Sequence, residues 1–323
     1  MNAFMTAFED HRSSLGPQPR TLARLSSPRR LLVLMALLGT CTLQPRPACP
    51  AVTVTSPAAD PFTTPAKDWA KEAINNEIGI IQYKTPLLRY REHLIDAKGN
   101  QVRDVIESKD GAVARLIYRD NHVVSPEEDA AERDRLQAML DSPNAFAKHM
   151  KGDQQGKKLA TDLMQQFPNA MIYSFAPGQP QRPRPNARPD EPAEIVIDFK
   201  PNPKWSPPSL PAQALTGLRG RFWIDARSHR LMRMEGDIFQ QVNFGWGFFA
   251  HVYPGGKLML EQVEAADQRW IFSRFTESVV VRAVLVKTFR ENSDVSAANF
   301  QIVPPMSYQE AIKVLLNTPL PKN

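Results

Sequence analysis

From Arg230 to Ile238 polar and apolar residues alternate. Arg230, Met232, Met234 and Gly236 fall on one side, and Leu231, Arg233, Glu235 and Asp237 on the other. A period of two predicts a strand with two unlike faces. The run Arg219–Asp225 precedes it, and the polar turn Ala226–His229 joins the pair. Four more runs follow: Val242–Val252, Lys257–Glu264, Arg269–Thr276 and Val279–Arg290. Short turns separate them, Tyr253-Pro-Gly-Gly256 and Ala265-Ala-Asp-Gln268 being the clearest. Turns this short join only antiparallel neighbours. The C-terminal half is therefore predicted to be a large antiparallel meander, twisted and curled.

The first half reads as helices around fewer strands. Thr64 and Pro65 open a helix running to Ile78, with Trp69 and Ala73 on its apolar stripe. Leu87–Ile95, Gln101–Ser108 and Val113–Arg119 are three strands joined by hairpin turns. Ser125 and Glu128 match a capping box, which starts a helix ending near Leu140. A second helix follows Ser142-Pro143 and ends near Phe167, so residues 125–167 form a helical insert. Strands Ala170–Ala176 and Ala193–Phe199 flank a proline-rich loop, 177–192, whose prolines forbid a ladder. After Arg290 a polar loop leads to a terminal helix, Ser307–Leu316, and a tail, 317–323.

The 323 residues carry a net charge of +6. Residues 1–51 hold six arginines and two acids, which is four of those six charges. The remaining 34 basic and 32 acidic residues are nearly balanced, so the charge gives no reason to expect nucleic acid as a partner. Arg29-Arg30 followed by a leucine-rich core of about a dozen residues is the pattern of a secretory signal. Two processing routes stand side by side. One is cleavage after Ala51, in the small-residue stretch Ala48–Ala51. The other is lipidation at Cys41 in Leu38-Gly-Thr-Cys41. The expected location is outside the cytoplasm, in a periplasm, free or anchored through Cys41. Residues 52–64 read as a disordered Ser/Thr/Pro/Ala linker. Cys41 and Cys49 are the only cysteines, so residues 65–316 are expected to be one domain with no internal disulfide and no cysteine metal site.

Chemistry is sparse. No nucleophile elbow, phosphate loop or dinucleotide fingerprint occurs, so no cofactor is implied. His93, His122, His149, His229 and His251 include no metal-pair spacing. His229 is expected to be a solvated turn residue. Asp104, Glu107 and Asp110 crowd one hairpin, and alternating charge on a wet strand face accounts for them better than paired catalytic carboxylates do. Glu127–Arg135 reads as a solvated helix face. What remains is an excess of large apolar residues on successive strands. Trp223, Phe244, Trp246, Phe248, Trp270 and Phe272 are the candidates to line a pocket on the hollow side of the curled sheet, with ordinary core packing as the plainer alternative.

The strand pair Gly220-Arg-Phe-Trp-Ile-Asp225 and Leu231-Met-Arg-Met-Glu235, with the order of elements over 65–316, resembles the LolA-type lipoprotein carrier superfamily (LolA, LolB and RseB-like proteins). The resemblance implies an α+β fold: a large curled antiparallel sheet, an unclosed barrel, with helices packed over or inside it. It implies a non-enzymatic protein that shelters a lipid or lipoprotein acyl chain, and a monomer is expected rather than an oligomer. The placing of two helices together after the third strand departs from the superfamily's pattern, and no functional arginine is carried over. An RseB-like sensor or scaffold binding envelope proteins is the alternative. A hydrolase is the third reading, and would need an acid–base pair with strongly shifted pKa values inside the concavity.

Overall fold

The structure is a computed structural model describing residues 63–82, 84–180, 194–245, 250–266, 268–283 and 287–322. The leader with Cys41, the linker to residue 62, most of the proline-rich loop, Trp246 and Phe248 lie outside the described residues.

The chain begins with α1 (Ala66–Gln82), followed by β1 (Leu87–Asp96), β2 (Gly99–Glu107), β3 (Ala112–Arg119) and β4 (His122–Val123). Two helices come next, α2 (Pro126–Asp141) and α3 (Pro143–Ala170), then β5 (Met171–Phe175) and β6 (Glu194–Pro201). A 3-10 turn at Pro211–Gly217 leads into β7 (Leu218–Asp225) and β8 (Leu231–Ile238). Short β9 (Val242–Phe244) and β10 (Ala250–Val252) precede the long β11 (Lys257–Ala266), β12 (Arg269–Ala283) and β13 (Lys287–Val303), and α4 (Tyr308–Asn317) ends the fold. All 13 strands belong to one antiparallel sheet, ordered β4-β3-β2-β1-β13-β12-β11-β8-β7-β6-β5, with β9 and β10 as a branch on β12. It is not closed into a barrel. The fold is α+β, as the pattern of the sequence predicts.

Several sequence expectations about the strands change, and the expected run Val242–Val252 is two short strands, β9 and β10, paired with each other. The predicted break after Thr276 is absent, because β12 runs straight through to Ala283. The polar loop expected after Arg290 is instead most of β13. Its polar residues conceal a period of two: Val295 and Ala297 are buried, while Asp294 between β12 and β1 reaches outward to Arg274. Within β8, Trp223 opposes Arg233 but Ile224 opposes Leu231, so Met232 is an extra residue. That bulge turns Leu231 to the same buried side as Met234, where strict alternation had set them apart.

Curling brings distant strands together. In a flat sheet β2 and β12, three strand spacings apart, would lie about 14 Å from each other. Here Glu107 of β2 accepts a 3.1 Å hydrogen bond from Arg269 of β12. Gly220 and Gly236 pair directly across β7 and β8. A side chain on Gly220 would meet the Glu235 carbonyl and the Phe199 ring, and one on Gly236 would meet Leu218 and Leu258. The two strands can approach this closely only without side chains at that pair.

Helices cover both faces of the sheet. Outside, α2 and α4 pack Leu136, Met139, Ile312 and Leu315 on Ile106 and Val113, and Phe146 stacks on Tyr308. Inside, α1 fills the hollow. Its buried residues, Trp69, Ala70, Ala73, Ile74, Glu77 and Ile81, recur at helical spacing. The 28 residues of α3 span about 42 Å. They run from the outer cluster at Phe146 and Met150 to Phe167, whose ring meets Phe199 and Phe222. Thus α3 carries the chain from the β4 edge of the sheet to the β5 edge and lies against α1. The rest of the convex face is a wet ladder of charge pairs, including Asp198–Arg221, Arg219–Asp237, Arg233–Glu261 and Arg274–Asp294.

Candidate functional site

The structure does not gather the predicted aromatic residues into one patch. Of the described candidates Phe272 alone joins the concave core, edge-on to Tyr90 at 6.3 Å between ring centres. Phe244 packs in a separate small cluster with Val242, Ala250, Val279 and Val281. Trp270 is half-buried at the start of β12, and its carbonyl accepts a bond from Arg269. Trp223 faces the other way. Its neighbours Phe222 and Ile224 are in the core, while the guanidinium groups of Arg221 and Arg233 lie over its ring on the convex side. Strand parity explains this, since successive residues cannot share a face. Trp246 and Phe248 lie outside the described residues.

The hollow itself is occupied. Trp69 of α1 is 1% exposed, and α1 lies on β5, β7 and β8 with α3 above it. Two hollows on the described surface, about 400 and 350 Å3, are open grooves on the convex side. One is lined by Ile172, Asp198, Lys200, Arg219 and Asp237, the other by Trp223, Arg233, Glu261 and Val263. The first also touches the core ring of Phe199 beside Gly220.

Polar contacts fasten α1 into this apolar seat. His229, in the β7–β8 turn with φ 54°, packs edge-on against Trp69 and places Nδ1 2.7 Å from Glu72. It is therefore a docked residue, not the solvated one predicted. The Asn76 amide donates to the His229 carbonyl at 2.9 Å, and Arg230 donates to the Asn76 carbonyl at 3.2 Å. The next residue, Glu77, is 5% exposed and accepts a bond from Gln262 of β11. Burial pushes its carboxyl up to about 7, against the opposing pull of Gln262, Arg230 and the Leu231 backbone.

At the far end of α1 lies a buried charge cluster. Glu107 is 2% exposed, so the solvated reading of this carboxylate does not hold. It accepts from the Leu88 amide at 3.1 Å and from Arg269, and it sits 3.3 Å from Lys84 Nζ. Asp104 is also buried, on the opposite face, paired with Arg89, and Asp110 accepts from the Tyr308 amide. From α3, Asp153 pairs with Lys157 at 3.1 Å. Burial lowers Lys84 to about 8 despite the nearby Glu107, and raises Asp153 despite Lys157 and Lys84. Tyr90 is raised well above its ordinary value by burial and then by Glu107 and Glu92. These five charged residues are spread from position 84 to 269, so no local motif announces them. Glu77 does leave a trace, since a carboxylate four residues from both Ala73 and Ile81 interrupts an apolar stripe.

Among the described residues no group of three or more His, Cys, Asp or Glu side chains is placed to hold a metal, and no helix is long and apolar enough to cross a membrane. No protein-family model, curated protein or solved structure matches the chain.

Proposed function

We propose that the protein is an exported, non-enzymatic binding protein that shelters an apolar ligand, a lipid or lipoprotein acyl chain, against the concave face of its sheet. The observation that carries this is the seat of α1. An apolar hollow in an unclosed sheet is filled by a helix of the same chain, which is fastened at its rim by exchangeable polar contacts. Each such contact is worth about 1 kcal/mol net, because water replaces it when the helix lifts. Trp69, Ile74, Ile80 and Ile81 together bury apolar surface worth roughly 6–12 kcal/mol. A long acyl chain, at about 0.8 kcal/mol per methylene, recovers a similar amount. Exchanging one for the other is near balance, which is what loading and release require.

A latch tests this. In a chain with Cys41 and Cys49 replaced by Ser, Glu77→Cys and Gln262→Cys join α1 to β11 when oxidised. The reduced protein should take up a fluorescent fatty acid and the oxidised protein should not. No uptake in either state, with no lipid in the purified wild type by native mass spectrometry, rules the reading out.

The shifted pKa values at Lys84 and Glu77 favour, in part, the hydrolase alternative. The hydrogen bonds and ion pairs of Glu107 run to Leu88, Arg269 and Lys84 and include no hydroxyl group. Turnover of nitrophenyl esters that is lost in Lys84→Met would favour the enzyme.

A further inference from the structure

The geometry points to a more specific ligand: an amphiphile with an anionic head, a carboxylate or a phosphate, bound by Lys84 and Arg269 at one end of the hollow while its tail takes the place of α1. This rests on the binding reading above and narrows it.

The charge cluster divides into two parts by the elements that carry it. Asp153 and Lys157 belong to α3 and pair with each other at 3.1 Å. They leave together, with no net charge, when the helical cover lifts. Glu107 on β2 and Arg269 on β12 stay with the sheet, and Lys84, in the link between α1 and β1, is held to Glu107 by their 3.3 Å ion pair. One carboxylate then serves two cations and the Leu88 amide as well. Arg269 is 4% exposed, and its Nε has no hydrogen-bond partner even in the closed form. The Lys84 side chain is 9% exposed. The opened hollow therefore holds one surplus cation inside an apolar wall, a costly arrangement unless something negative completes it. An uncharged ester or a diacylglyceryl thioether supplies no such charge. A fatty acid or an alkyl phosphate does, through charge-assisted bonds to a planar guanidinium and an ammonium.

The position of the cluster gives the ligand a direction. Tyr90 and Phe272 continue from it along the concave face toward the seat of α1. The head sits at the Glu107–Arg269 end, and the tail runs toward Trp69's place.

The test uses the full-length protein and three probes of equal chain length: hexadecanoic acid, its methyl ester and hexadecyl phosphate, each competing with a fluorescent fatty acid. The acid or the phosphate should bind at least about tenfold more tightly than the ester, which is 1.4 kcal/mol. Whichever of the two binds better identifies the head. Lys84→Met leaves Arg269 and Glu107 balanced and should bring acid and ester within about threefold of each other, a difference below 1 kcal/mol. Glu107→Gln adds to the surplus and should widen the gap. A cluster with only a structural role would move all three probes in parallel. If Lys84→Met fails to fold by circular dichroism, the opposite effect of Glu107→Gln decides. Equal binding of acid and ester in the wild type overturns the head-group assignment and leaves the carrier reading standing. Failure of all three probes to bind overturns both.

Discussion

Phe222 and Trp223 are adjacent and have opposite fates. Phe222 packs between Phe167 and Phe199, while Trp223 lies on the wet face beneath two guanidinium groups. Phe222→Ala should cost about 3–5 kcal/mol. Trp223→Ala should cost only about 1 kcal/mol, the scale of an exposed cation–π contact. Urea denaturation compares the two. Glu77 gives a pH dependence with a definite sign. Its carboxyl stands near 4.5 when unfolded and at about 7 when folded. The folded state thus holds the proton more tightly, and its contribution is full below about pH 4.5 and lost as the pH rises to about 7. The loss is about 3 kcal/mol. Glu77→Gln should remove that slope and be the more stable protein at pH 8, as thermal melts across pH 4–8 would record. The aromatic content of the strands was legible, but its sidedness was not. A bulge at Met232 and the parity of Trp223 decide which ring enters the core, and neither is visible without the partner strand.

At the scale of elements, the buried Arg115 ties two helices to β3. It donates to the Leu315 and Thr318 carbonyls at 2.6 and 2.7 Å and to Asp129 of α2 at 2.7 Å. It thus satisfies the Thr318 carbonyl just past α4 and adds a second, shorter bond to the Leu315 carbonyl, which otherwise has only the 3.3 Å contact from the Thr318 amide. Arg115→Met leaves Asp129 its bond to Arg133, but takes from the Thr318 carbonyl its arginine donor and leaves Leu315 only its long bond from the Thr318 amide. A loss of about 3 kcal/mol is expected. Hydrogen exchange should speed up in 308–317 and stay unchanged in 66–82. The helix starts were well marked in the sequence. The Ser125–Glu128 capping box forms as its spacing predicts, and a second joins Ser307 and Glu310. The long β13 was not marked, because its first described stretch, through Asn292, Ser293, Asp294 and Ser296, is polar, and its inward residues Val295, Ala297 and Phe300 are few and widely set. The charge run on α2 is wet only in part. Glu128, Asp129 and Glu132 reach back to Arg119, Arg115 and the Leu116 amide on β3.

Over the whole molecule, β13 joins what sequence order separates. It pairs with β1 on one side and β12 on the other, and so welds the N-terminal hairpins to the meander. Val295 opposes Leu94 and Phe275 at once. Val295→Pro would break both ladders in the middle of the sheet. It should abolish the cooperative melt in both tryptophan fluorescence and far-ultraviolet circular dichroism, whereas damage to one local element would spare one signal. The crossing of α3 from one margin of the sheet to the other has a different consequence. A closed barrel has a fixed circumference, set by strand count and stagger. Here the loop is completed by a helix whose side chains can slide against their neighbours, like a hoop fastened by a buckle, so its girth can change without the loss of a single rung between strands. On the carrier proposal, cargoes of unequal bulk would share one sheet, and the range of chain lengths accepted would be set by the travel of α3 rather than by the width of a rigid tunnel.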